Sequence, residues 1–217
     1  MTRTKSITIV VVIIALIGAG CFFFFSRDKA GNTAAANTFG WEFPIVKFPI
    51  TGPGDLSYSD TRDPVGIPQG LPIRLRIPVI GVDSAIEDAF ITPDGRMDVP
   101  DGSVNVSWFA LGPHPGQVGS AVIGGHFGIK NGVKFVFYDI DKLKVGDKVY
   151  ILDDKGETLA FQVRSSRLFG KNADATTVFT SDDGLAHLNL VTCEGVWNQV
   201  NGSYPERRVV FTDAVAL

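Results

Sequence analysis

The chain beyond residue 70 predicts an all-β domain on three observations: short apolar runs, period-two alternation within them, and Gly, Pro or Asp clusters between them. Leu75, Ile77 and Val79 alternate with Arg74, Arg76 and Pro78 and form the first strand. Ala121 to Ile123, Val149 to Leu152, Leu159 to Val163, Leu188 to Val191 and Val209 to Phe211 supply the others. Asp153-Asp154-Lys155-Gly156 falls between two of these runs and has the composition of a hairpin turn. One stretch departs from the pattern. Val133, Val136, Phe137, Ile140 and Leu143 recur at helical spacing and predict a short helix over one end of a barrel or sandwich.

The amino-terminal part is built differently. Residues 7–25 carry no charge over 19 positions, long enough as a helix to cross a hydrocarbon core of about 30 Å. This segment reads as an uncleaved anchor following a short tip, residues 1–6. A signal peptide is the other reading, because Gly18-Ala19-Gly20 before Cys21 resembles a cleavage or lipidation box. Arg3 and Lys5 balance Arg27 and Lys29 across it, so only the amino terminus favours an inside start. The expected location is a single-pass membrane protein with its folded domain, residues 71–217, outside the cytoplasm. Residues 26–70 hold Gly, Pro, Asn, Ser and Thr with scattered aromatics and no sustained period, the composition of a linker or stalk. A formal net charge of −3 provides no basic field for phosphate backbones, which argues against nucleic acid as a partner.

Chemistry enters at Cys193, the only cysteine outside the apolar segment. It ends the run Leu188-Asn189-Leu190-Val191-Thr192 and has no disulfide partner within its domain. An exposed thiol outside the cytoplasm oxidises readily, so a nucleophile is the reading with a reason behind it. A thiol is mostly protonated at neutral pH and needs a base or cation nearby. Three histidines are available. His126 follows an apolar strand and Gly124-Gly125, whereas His114 lies in a Pro-flanked loop and His187 at the start of the strand that carries Cys193; both read as structural or peripheral. Their spacing gives no pair of metal ligands on one element. An oxyanion needs a donor, and Arg207 or Arg208 lies on the adjacent strand if the Cys193 strand returns as a hairpin.

Gly125-His126, then Leu190-Val191-Thr192-Cys193, then Arg208 before an apolar strand resembles the sortase transpeptidases. Ile77-Pro78-Val79-Ile80-Gly81-Val82, Gly119-Ser120-Ala121-Val122-Ile123 and Leu143-Lys144-Val145-Gly146-Asp147 extend the resemblance over roughly Leu71 to Leu217. It implies an eight-stranded β-barrel with one or two short helices, in which Cys193, His126 and Arg208 meet in a surface groove. It also implies a cysteine that attacks a Thr-Gly-type bond in a C-terminal sorting motif of the Leu-Pro-x-Thr-Gly kind. The thioacyl enzyme so formed passes the surface protein to an amine of the cell wall or of another protein. On that pattern His126 protonates the leaving amine, Arg208 holds substrate and oxyanion, and Thr192 shapes the oxyanion pocket. No cofactor is required, and no acidic cluster maps onto the calcium site of some members.

Two departures from the family pattern stand out. Asn189 replaces the first threonine of the usual Thr-Leu-x-Thr-Cys. Arg207 and Arg208 are adjacent, and strand alternation points them to opposite faces, so only one reaches the thiol. Arg208 is the expected one because it directly abuts the apolar strand; Arg207 is the alternative. Trp197 either walls the groove or caps the barrel end, with capping expected. Two rival functions remain. An L,D-transpeptidase-type acyltransferase lacks its Ser-x-Gly-Cys-Arg context here, and a stalked binding module predicts slow thiol labelling that is indifferent to His126.

Overall fold

A computed structural model describes residues 70–217. The expected anchor at 7–25, and the linker except for Gly70, lie outside the described residues. The domain contains ten strands: β1 Pro72–Ile77, β2 Val82–Ala89, β3 Val106–Phe109, β4 Gly119–Gly125, β5 Ile129–Lys130, β6 Val133–Lys134, β7 Lys148–Asp153, β8 Thr158–Gly170, β9 Ala186–Glu194 and β10 Glu206–Val215. One short helix, α1, spans Thr176–Phe179. Eight of the strands close a barrel in the order β1-β2-β3-β4-β9-β10-β8-β7, while β5 and β6 pair separately. Most neighbours run antiparallel, but β2 and β3 pair in parallel, as do β4 and β9. The latter pairing shapes the site, because it carries the ends of two distant strands to the same rim.

Alternation sorts the side chains into two apolar layers. Leu75, Ile77, Val106, Ile123, Ile151, Phe161, Leu190 and Val210 belong to one buried cluster to which all eight barrel strands contribute, so this is the barrel interior. The residues between them on β4, β9 and β10, namely Val122, Val191, Val209 and Phe211, face outward. They pack with Met97, Phe109 and the α1 residues Val178 and Phe179 in a second cluster. Asn189 lies on this outer face, fully buried, and its Nδ2 donates to the Val178 carbonyl at 2.6 Å. The departure from threonine therefore has a structural reason. A carboxamide reaches the last turn of α1, where a carbonyl without a helical partner needs a donor.

The turn at 153–156 forms as expected between β7 and β8, with the Asp153 carboxylate accepting from the Lys155 and Glu157 amides at 3.0 and 2.8 Å. The helix expected over 133–143 does not form. Val133 instead pairs with Lys130 in the β5–β6 hairpin, and only Ile140–Lys142 winds into a single 3-10 turn. The physical reason is Asn131-Gly132, whose φ values of 52° and 77° make the primed turn that suits a two-residue hairpin. Phe137, Ile140 and Leu143 still join the barrel core, so the apolar spacing reflects burial without a helix.

Candidate active site

The parallel β4–β9 pairing runs in register to Gly124 opposite Val191. One residue further, the Thr192 hydroxyl donates to the Gly125 carbonyl at 2.7 Å, tying the two strand ends together. Another step places His126 beside Cys193, and both line one cleft with Phe127, Trp197, Tyr204 and Arg207. The local sequence explains the approach. A Cβ on Gly125 would lie 2.5 Å from a ring carbon of fully buried Phe137, so only glycine lets β4 run this close to the barrel plug. Gly125→Ala is expected to cost about 1–3 kcal/mol through overpacking, measured by chemical denaturation.

Arginine placement corrects the sequence expectation. Cys193 pairs across the β9–β10 ladder with Arg207, whereas Arg208 pairs with Thr192. Directly opposed residues share a face. The fully buried Arg207 thus projects on the cysteine side, with Nη1 donating to the Tyr204 and Glu206 carbonyls at 3.0 and 2.8 Å. Arg208 points to the other face, where Nε donates to Glu194 Oε2 at 2.9 Å and Nη1 to the Ser166 hydroxyl at 3.1 Å. The structure therefore brings Arg207, not Arg208, to the thiol. The Thr192 side chain is committed to the Gly125 carbonyl on the face away from the cysteine, where it ties the two strand ends together.

Burial governs the electrostatics. Desolvation pushes the Cys193 thiol up to about 11, and the Arg207 charge opposes that rise. Desolvation likewise lowers His126 below the usual histidine range, against its hydrogen bond to the Pro100 carbonyl and the charge of Glu87, both of which raise it. Both shifts favour the uncharged forms, a thiol and a neutral imidazole. Tyr204 is raised by burial and by the neighbouring Cys193. Its ring meets Trp197 and Phe127 edge-on at 5.1 and 5.5 Å, forming an aromatic wall on one side of the cleft. Trp197 walls the cleft, contrary to the capping expectation.

The other histidines lie elsewhere. His114 stacks at a tilt on Trp108, 4.7 Å between centroids. His187 is buried between Asp213 and Asp183, at 2.7 Å from Nδ1 and 2.9 Å from Nε2, so Asp183 is not simply a solvated turn residue. Among the described residues no group of His, Cys, Asp or Glu is arranged to hold a metal ion. Sequence reading missed Tyr204 and Phe127. Phe127 had a signal in its position next to His126, but Tyr204 had none, because its place depends on how the 195–205 loop folds back.

Comparison with known proteins places the family and the fold. The family model for the sortase domain matches residues 75–215. Sortase C-1 from Actinomyces oris superposes with a TM-score of 0.54 at 22% identity, covering 67% of this chain and 76% of that one. Sortase C-1 from Streptococcus pneumoniae gives 0.51 at 24% identity, with 67% of each chain covered. Sortase A from Corynebacterium diphtheriae gives 0.52 at 24%, covering 69% of this chain and 63% of its own. No curated protein matches in sequence. With a family match over most of its length and a barrel of the same architecture, the chain belongs to the sortase family.

Proposed function

We propose that the protein is a cysteine transpeptidase, anchored by residues 7–25 with its barrel outside the cytoplasm, that cuts a C-terminal sorting motif and transfers the acyl part to an amine. The observation that carries this reading is the convergence of Cys193, His126 and Arg207 on one cleft from three separate strand ends. In the first half-reaction Sγ attacks the scissile carbonyl as its proton passes to His126. The C–N bond of the tetrahedral intermediate then breaks, and the imidazolium gives that proton to the leaving amine. In the second, an incoming amine from a wall precursor or another protein loses a proton to His126 and attacks the thioester, expelling the thiolate. Arg207 supplies the positive charge against which thiolate and oxyanion develop.

The reading is tested with full-length protein in detergent and peptides carrying a Leu-Pro-x-Thr-Gly motif plus an amine acceptor. Cys193→Ala is expected to abolish both cleavage and amide product while leaving the thermal transition in place. Cleavage that persists in Cys193→Ala would remove the cysteine from the chemistry. A lack of cleavage by the unaltered protein across a panel of sorting motifs would favour a binding module.

A further inference from the structure

The catalytic imidazole needs an orientation, and the chain supplies it from an unexpected quarter. His126 Nε2 lies 3.1 Å from the Pro100 carbonyl. A carbonyl only accepts, so Nε2 carries the proton, and the neutral ring holds its lone pair at Nδ1. The tautomer is fixed by main chain, which is useful only if the loop bearing Pro100 is itself held. Glu87 on β2 holds it. One carboxylate oxygen accepts from the Asp101 amide at 2.8 Å, and the other accepts from the Asn105 side chain. The two contacts lie on either side of the 101–105 turn, immediately after Pro100.

We propose that Glu87 is a positioning residue for His126, bracing the 98–105 loop so that the Pro100 carbonyl meets Nε2 and placing a negative charge where the imidazolium forms. This role rests on the transpeptidase reading for its effect on turnover, but not for its effect on the ring. The groups facing the imidazole are Cys193 from β9, Arg207 from β10 and the Tyr204 phenol in the cleft, with Glu87 acting from β2. Among these described residues Glu87 is the carboxylate. The sign of its effect follows from its charge: it favours protonated His126, the form that must donate to the leaving amine. Asp88, the next residue on the strand, is exposed and points to the opposite face.

The test is a pH titration of histidine 13Cε1 and 15N resonances in the full-length protein, with His126 identified through His126→Gln and no peptide present. Glu87→Gln is expected to move the His126 midpoint to lower pH and to reduce kcat/KM about tenfold on a sorting peptide. Asp88→Asn, which removes the same charge from the same strand, is expected to leave His126 unmoved. Asn105→Ala keeps the carboxylate but removes one brace, and is expected to erode the Nε2–H pattern in the 15N shifts. An unmoved His126 in Glu87→Gln, even with a lower melting temperature, would reduce Glu87 to a structural role and overturn the proposal. If Glu87→Gln does not fold, an unchanged tautomer in Asn105→Ala would overturn it instead. Failure of all peptide cleavage with a shifted His126 would count against the transpeptidase reading and leave this one standing.

Discussion

Arg207→Ala is expected to lower kcat/KM on a sorting peptide by about 100-fold or more, and Arg208→Ala by no more than about threefold. The contrast comes from one step of strand alternation. Arg207 opposes Cys193 on β10 and lines the cleft, while Arg208 opposes Thr192 and spends its guanidinium on Glu194 and Ser166. A buried cation near a developing oxyanion is worth far more than a surface charge, because little water screens it. Arg207→Ala also frees the Tyr204 and Glu206 carbonyls from their donor, so the variant must be shown to fold. Arg207→Lys serves that purpose: it keeps the charge, cannot reproduce the planar fork, and is expected to recover only part of the lost rate. Circular dichroism melts alongside the kinetics separate loss of fold from loss of chemistry. A severe defect in Arg208→Ala with a mild one in Arg207→Ala would reverse the assignment.

The arginine example shows what the sequence could and could not reveal. Parity was legible: alternation required Arg207 and Arg208 to face apart. Phase was not, because it depends on the β9–β10 register, and register is set by the whole interleaved pattern of Val191, Val209 and Phe211 packing outward against α1. Nothing in Glu206-Arg207-Arg208-Val209 states which face that will be. β7 and the first half of β8 were legible because one face is buried, which gives period two, while β4, β9 and β10 were legible as short apolar runs because both of their faces are covered. The 133–143 stretch misled for a related reason: a plug that buries Phe137, Ile140 and Leu143 imitates helical spacing, and the stronger local signal was Asn131-Gly132. His126 and Cys193 were legible as a pair because each ends an apolar strand. That the two strands are parallel neighbours was a matter of topology, and so was the arrival of Pro100 and Glu87 beside the imidazole.

The second large effect concerns pH. With the thiol raised to about 11, about one molecule in ten thousand holds a thiolate at pH 7, so alkylation by iodoacetamide is expected to climb about tenfold per pH unit up to about pH 10. Cleavage of a sorting peptide is expected to behave differently. The reactive thiolate–imidazolium pair and the resting thiol–imidazole pair contain the same number of protons, so their ratio does not change with pH. The rate therefore stays level between the lowered His126 value and the raised Cys193 value. It falls on the acid side, below the usual histidine range, when both groups are protonated, and on the alkaline side when both have lost their proton. Arg207 opposes the rise of the thiol, so Arg207→Ala is expected to shift alkylation to still higher pH. Slow labelling of the resting protein at neutral pH thus does not favour a binding module; it is what a half-buried, protonated nucleophile gives. The measurement is a pair of profiles from pH 5 to 10.5 on the same preparation. Alkylation that levels off by pH 8 would show that the thiolate preforms in the resting site and that burial is not the controlling effect, whereas cleavage that rises in step with alkylation would show that the titrated thiolate attacks without passing its proton to His126.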